Sequence, residues 1–175
     1  MKRDPAGQRL HGLPPIVGPG TRVLILGSFP GAASLRARQY YAHPRNQFWT
    51  ILQALWPEVP MDSDYAQRCQ WLLNCGLGLW DVYASCERAG SLDSAIRNAQ
   101  VNDFASLKAR CPQLQMIVHN GGESFKHAGA TAALGLPVRK LPSTSPANAS
   151  WSFERKLAAW CEVMTASDLC QAAWG

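Results

Sequence analysis

Val23-Leu24-Ile25-Leu26-Gly27-Ser28-Phe29-Pro30-Gly31 is the stretch on which the fold turns. Four large apolar residues in succession, with no polar alternation, predict a strand over residues 22 to 29 that is buried on both faces. Such a strand belongs inside a parallel sheet. One short connection later comes Tyr40-Tyr41-Ala42-His43-Pro44-Arg45-Asn46-Gln47-Phe48-Trp49. Here Pro44 stands where a helix can start, and Phe48, Ile51, Leu52 and Leu55 recur at helical spacing up to Pro57. The strand, the loop and the helix entry together hold the residue types that grip a flat polar heterocycle. Gly27 and Gly31 permit close backbone approach, Pro30 and Pro44 add rigidity, and the rings offer faces for stacking. Asn46 and His43 supply hydrogen bonds.

Working outward, residues 77 to 82, 115 to 119 and 138 to 141 read as further strands. Helices are expected around Trp71-Leu72-Leu73 ending near Gly76, after an Asn102-Asp103 cap, through Phe125, and from Phe153 to Met164. Parallel neighbours need long crossovers, so the alternation predicts an α/β fold: a three-layer, doubly wound, mostly parallel sheet with helices on both faces. The length suits a single domain over 1–175. Ligands in such sheets bind beyond the carboxyl ends of the strands. Gly27 to Gly31, Asp81 to Ser85, Asn120 to Gly122 and Pro142 to Asn148 should therefore meet in one cleft.

The 17 Lys and Arg against 12 Asp and Glu give a net charge of +5. This favours a polyanionic partner only weakly, because the cations are dispersed along the chain. Met1-Lys2-Arg3-Asp4-Pro5 precedes no apolar leader segment, and no run is long enough to span a bilayer, so a cytoplasmic protein is expected. The six cysteines form no Cys-x-x-Cys pair and have no histidine at finger spacing. Zinc and an iron–sulfur cluster fit poorly, and most of the thiols are expected to be buried.

Several residues admit two readings. Asn46 is suited to capping the helix that follows it, or to orienting a water molecule. Asp81 could hold a catalytic group or cap a turn, and Asn120, before Gly121-Gly122, could contact a ligand or form a structural turn. Tyr41 and Phe29 could face a ligand ring or fill the core. His119 and the tryptophans Trp49, Trp56, Trp71, Trp80, Trp151 and Trp160 fit packing patterns. The segment Leu141-Pro142-Ser143-Thr144-Ser145-Pro146-Ala147-Asn148 is either a capped connection or a rigid hydroxyl-bearing loop able to donate to phosphates.

Taken together, Gly-Ser-Phe-Pro-Gly, Gln39 to Pro44 with Asn46-x-Phe48-Trp49, Leu79 to Val82 with Ser91-Leu92-Asp93, and Leu141 to Asn148 resemble the uracil-DNA glycosylase superfamily. The nearest likeness is to its hypoxanthine (deoxyinosine) DNA glycosylase branch. The resemblance implies hydrolysis of the base–sugar bond of a flipped nucleotide in DNA containing a deaminated base, without metal or organic cofactor; a monomer is expected. The mismatch-specific uracil/thymine branch carries its water-orienting Asn where this chain has Phe29. The resemblance therefore moves that role to Asn46, supported by Asp81, with His43 and the backbone of Gly27, Ser28, Phe29, Pro30 and Gly31 stabilising the departing base. Tyr41 would stack on it, with Asn120 near its edge.

Ser143, Thr144, Ser145, Ala147 and Asn148 would form the DNA-binding loop. Ala147 stands where the mismatch-specific branch has a bulky wedge. No lysine lies in either main loop for Schiff-base chemistry, and the zinc deaminase pattern is absent. The Phe29 replacement leaves open a uracil-directed enzyme or a non-catalytic damage-binding protein.

Overall fold

The structure is a computed structural model describing residues 7–169; Met1 to Pro5 and Cys170 lie outside the described residues. Its strands are β1 (Arg9–His11), β2 (Val23–Gly27), β3 (Leu77–Asp81), β4 (Tyr83–Glu87), β5 (Arg97–Val101), β6 (Met116–Asn120) and β7 (Val138–Leu141). Its helices are α1 (Ala32–Ala37), α2 (Phe48–Leu55), α3 (Tyr65–Asn74), α4 (Leu107–Arg110), α5 (Gly122–Phe125), α6 (Ala128–Ala132) and α7 (Phe153–Ala166). The central sheet has the order β3-β2-β6-β7, with every pairing parallel.

The apolar run is β2, buried along its whole length. Because successive side chains point to opposite faces of a sheet, Val23 and Ile25 enter a core with Phe48, Ile51, Leu52, Trp71, Leu72 and Trp160 from α2, α3 and α7. Leu24 and Leu26 enter a second core with Phe104, Leu107, Leu114 and Cys86. Burying one such aliphatic side chain contributes ~1.5–3 kcal/mol, so this strand fixes the sheet from both sides.

The second face is not covered by helices alone. Directly after β3 the chain enters β4, which pairs antiparallel with β1 and β5 in a separate three-stranded sheet. The expected cleft segment Asp81 to Ser85 is thereby reduced to Asp81, because Tyr83 onward is strand. Partners as distant as Arg9 and Arg97 leave no local signal for this pairing.

Other boundaries shift for local reasons. Residues 43 to 46 form a turn, with the Asn46 N–H donating to the His43 carbonyl at 2.9 Å, and α2 begins at Phe48 rather than Pro44. Asp103 accepts from the Ala105 N–H at 2.9 Å in a turn ahead of the helix, and α4 starts only at Leu107 with Ser106 at its N-cap, so the expected Asn102-Asp103 cap does not sit on this helix. The helix through Phe125 is two short helices, α5 and α6. Of the described cysteines, Cys86 and Cys111 are buried, whereas Cys69, Cys75 and Cys161 are partly exposed, fewer buried thiols than expected.

Candidate active site

A cleft of about 850 Å³ opens across the C-terminal ends of β3, β2, β6 and β7. It brings together the candidate site residues named from the sequence: Gly27 to Gly31, Tyr41, His43, Asn46, Asp81, Asn120, Ser143 to Ser145, Ala147 and Asn148. Among the described residues, no group of three or more His, Cys, Asp or Glu could hold a metal ion.

Asp81 ends β3 and is 4% exposed. Among the described residues its Oδ2 has no hydrogen-bond partner, which is costly for a buried acceptor unless something occupies that position in use. Burial, reinforced by the Asp93 carboxylate and opposed by Arg88, pushes its pKa up to about 7. A carboxyl group poised near neutrality can accept a proton. Its neighbour in the ladder is Gly27, and a Cβ there would stand 2.5 Å from Asp81 Oδ1 and 3.1 Å from the Tyr41 hydroxyl.

Asn46 fits both readings taken from the sequence. Its Oδ1 accepts from the Phe48 N–H at 3.0 Å, holding the entry of α2, and the half-buried residue also lines the cleft. His43 is exposed at the rim, and its Nδ1 accepts from the Arg45 N–H at 3.1 Å. With Nδ1 accepting, the ring proton sits on Nε2 as a donor.

Tyr41 adopts φ 55° and stacks on Phe48, with centroids 4.0 Å apart and the planes 20° from parallel. One ring face is thus supported from the core. Its hydroxyl accepts from Asn120 Nδ2 at 3.2 Å. Asn120 also donates to Thr144 Oγ1 at 3.0 Å and accepts from the Thr144 N–H at 3.1 Å. Both Nδ2 protons are used, one on Tyr41 in the first loop and one on Thr144 in the second, so Asn120 braces the pocket from β6. Thr144, expected to face DNA, is fully buried in the same brace.

The rest of the second loop is self-bonded. Ser143 Oγ accepts from the Ser145 N–H, and Ser145 Oγ from the Ala147 N–H, both at 3.2 Å. Each hydroxyl therefore keeps its own proton to donate outward. Asn148 Nδ2 donates to the Ser143 carbonyl at 3.1 Å. Gly121, with φ 99°, passes this loop so closely that a Cβ would stand 3.0 Å from Ser143 Cβ.

Phe29 is 6% exposed and packs in the second core beneath the loop, with the Arg88 guanidinium 5.3 Å above its ring. Arg88 is a residue the sequence reading missed. It is buried and donates from Nη2 to the Pro30 carbonyl at 2.7 Å and from Nε to the Gly90 carbonyl at 2.9 Å. Leu92 and Asp93, quoted from the sequence only as part of the resemblance and given no role in the site, form a wall of the cleft with Ser94 because β4 returns the chain there. Lys140 lines the cleft from β7 with its ammonium 5.7 Å from the Phe125 ring. Trp151, expected to be packing, lies at the cleft with Arg155 3.7 Å over its ring. His119 is packed as expected, its ring nitrogens 2.8 Å from Ser124 Oγ and Thr131 Oγ1.

The family model described as "Uracil DNA glycosylase superfamily" matches residues 14–164. A hypoxanthine DNA glycosylase of Methanosarcina barkeri is 36% identical over 153 residues, covering 87% of this chain and 96% of that protein. One from Methanosarcina acetivorans is 36% identical over 146 residues, covering 83% and 92%. The solution NMR structure of a candidate uracil DNA glycosylase from Methanosarcina acetivorans superposes with a TM-score of 0.82 at 34% identity, covering 92% of this chain and 99% of that one.

Proposed function

The chain belongs to the uracil DNA glycosylase superfamily and is a monofunctional DNA glycosylase acting on deaminated purine, and we propose that Asp81 and Asn46 together activate the water that releases hypoxanthine. The observation that carries this reading is the buried Asp81 Oδ2, without a partner among the described residues and with the carboxyl pKa pushed up to about 7.

The target nucleotide leaves the stack and enters the cleft, where the ring of Tyr41 backs one face of the purine. As the glycosidic bond stretches, the sugar gains oxocarbenium character and the base gains negative charge. The Asp81 carboxylate stabilises the cation and accepts a proton from the attacking water. An amide is too weak a base for that proton transfer, so Asn46 orients the water. His43 Nε2–H donates to the departing base, and hypoxanthine leaves more readily than a normal pyrimidine. The Ser143 and Ser145 hydroxyls donate to the DNA phosphates. Hydrolysis leaves free hypoxanthine and an abasic site.

The amide of the mismatch-specific branch has no counterpart at the packed Phe29, which favours hypoxanthine over uracil as the preferred base. Among the described residues no helix is long and apolar enough to cross a membrane; the protein is proposed to work on DNA as a cytoplasmic monomer, without a cofactor. The test uses duplexes bearing hypoxanthine, uracil, xanthine or only normal bases, cleaved with alkali after incubation. Hypoxanthine strands should break fastest. Strands left intact at hypoxanthine would refute the reading, and faster breakage at uracil would transfer it to the uracil-directed alternative.

A further inference from the structure

Leu92 is 58% exposed and stands on the wall of the cleft. Single apolar residues on a surface are ordinary, so exposure by itself decides nothing. What distinguishes Leu92 is the backbone that carries it. Ser91 Oγ accepts from the Ala32 N–H at 2.9 Å, and Asp93 Oδ1 accepts from the Ser28 hydroxyl at 2.7 Å. The Leu92 carbonyl accepts from the Ala95 N–H at 3.1 Å. One residue before Ser91, Arg88 ties the Gly90 carbonyl to the Pro30 carbonyl. The residues on both sides of Leu92 are thus anchored to the base-pocket loop, while its own side chain is presented to solvent.

Across the cleft, on the β7 side, the second loop offers Ala147. It is exposed, but a methyl group cannot fill the space of a base. A vacated site in a duplex is walled by apolar base faces, and proteins that part a base step do so with leucine-sized apolar side chains. An anchored loop also loses little freedom on inserting one.

We propose that Leu92 is the wedge that enters the duplex beside the flipped nucleotide and holds the gap open while the base occupies the cleft. This rests on the glycosylase reading above and extends it to the side of the cleft from which the helix is parted. The wedge stabilises the flipped state only where there is stacking and pairing to overcome, so its effect should scale with the stability of the target pair. Unstacking and unpairing cost least in single-stranded or mispaired DNA.

The test compares the unmodified enzyme, Leu92→Ala and Leu92→Met in single-turnover hypoxanthine release from a hypoxanthine–cytosine duplex and from the same strand alone. In parallel, 2-aminopurine placed beside the target reports unstacking on binding. Leu92→Ala should lose at least about tenfold more rate on the duplex than on the single strand, a difference of ~1.4 kcal/mol. It should also fail to raise the 2-aminopurine signal, whereas Leu92→Met should restore both. Equal losses on the two substrates, or an unstacking signal in Leu92→Ala equal to that of the unmodified enzyme, would overturn the proposal. If the unmodified enzyme unstacks the duplex but releases no hypoxanthine, and Leu92→Ala does not unstack it, the wedge stands and the glycosylase reading falls.

Discussion

Asp81 Oδ1 lies 2.5 Å from where a Cβ on Gly27 would be, so the side-chain-free backbone at the end of β2 is what admits the carboxylate to the floor of the cleft. Real Cβ atoms do not make such a contact with an oxygen. In Gly27→Ala either the strand end or the carboxylate must move. The expected outcome is a folded protein with base release reduced at least about tenfold, since small displacements of reacting groups are costly. Circular dichroism and single-turnover release check it, and an unimpaired Gly27→Ala enzyme would show that the position of Asp81 is not critical.

Asp81 also leaves a mark on stability. Its pKa is raised from 3.8 to about 7, so between these values the folded state holds a proton that the unfolded state has released. Stability therefore falls as pH rises from about 4 to about 7 and is level above that. At ~1.4 kcal/mol per unit, the cost at pH 8 is at most about 4 kcal/mol. Asp81→Asn should be more stable than the unmodified protein at pH 8 and should lack this dependence in urea unfolding at several pH values. Destabilisation at pH 8 would mean that the carboxylate is held by something other than its burial.

The two roles of Asn46 separate through serine. Asn46→Ala should lower single-turnover release by a factor on the order of 10² and also lose about 1 kcal/mol of helix-start stability. Asn46→Ser keeps a hydroxyl that can cap α2 but has no amide. It should recover the stability and not the rate. Recovery of both would reduce Asn46 to a cap.

Tyr41→Ala should weaken catalysis more than Tyr41→Phe, because the ring stacked on Phe48 supports the purine, and base–aromatic stacking is worth ~1–3 kcal/mol per base. The hydroxyl matters less, since Asn120 keeps its bonds to Thr144. If Phe is as damaging as Ala in proteins that remain folded, the phenol hydroxyl is the working group.

The sequence made β2, β3 and β6 legible as apolar, largely buried runs and α7 by its helical period, whereas β7, Val-Arg-Lys-Leu, is apolar only at its ends and buried only at Leu141. β4 and β5 were hidden: their pairing joins residues far apart in the chain, and β5 (Arg97–Val101) is exposed throughout, so no apolar pattern marks it. That sheet delivers Leu92 and Asp93 to the cleft, which is why the Ser91-Leu92-Asp93 motif could be quoted without a place in the site while the four strand ends were foreseen. Asn120 and Thr144 were placed in the right loops, but their consumption by one another is a fact of packing, invisible in spacing. Arg88 offered no signal either, because its partners are two backbone carbonyls.

The central claim, that Asp81 takes the water's proton, is tested most directly by single-turnover release of hypoxanthine against pH in the unmodified enzyme and Asp81→Asn. A base of pKa about 7 requires a rate that climbs roughly tenfold per pH unit below that value and levels above it. Asp81→Asn should be slower at pH 8 by a factor on the order of 10² and should lack that rise. An Asp81→Asn enzyme with the unmodified rate, or with the same rise through neutrality, would contradict the account.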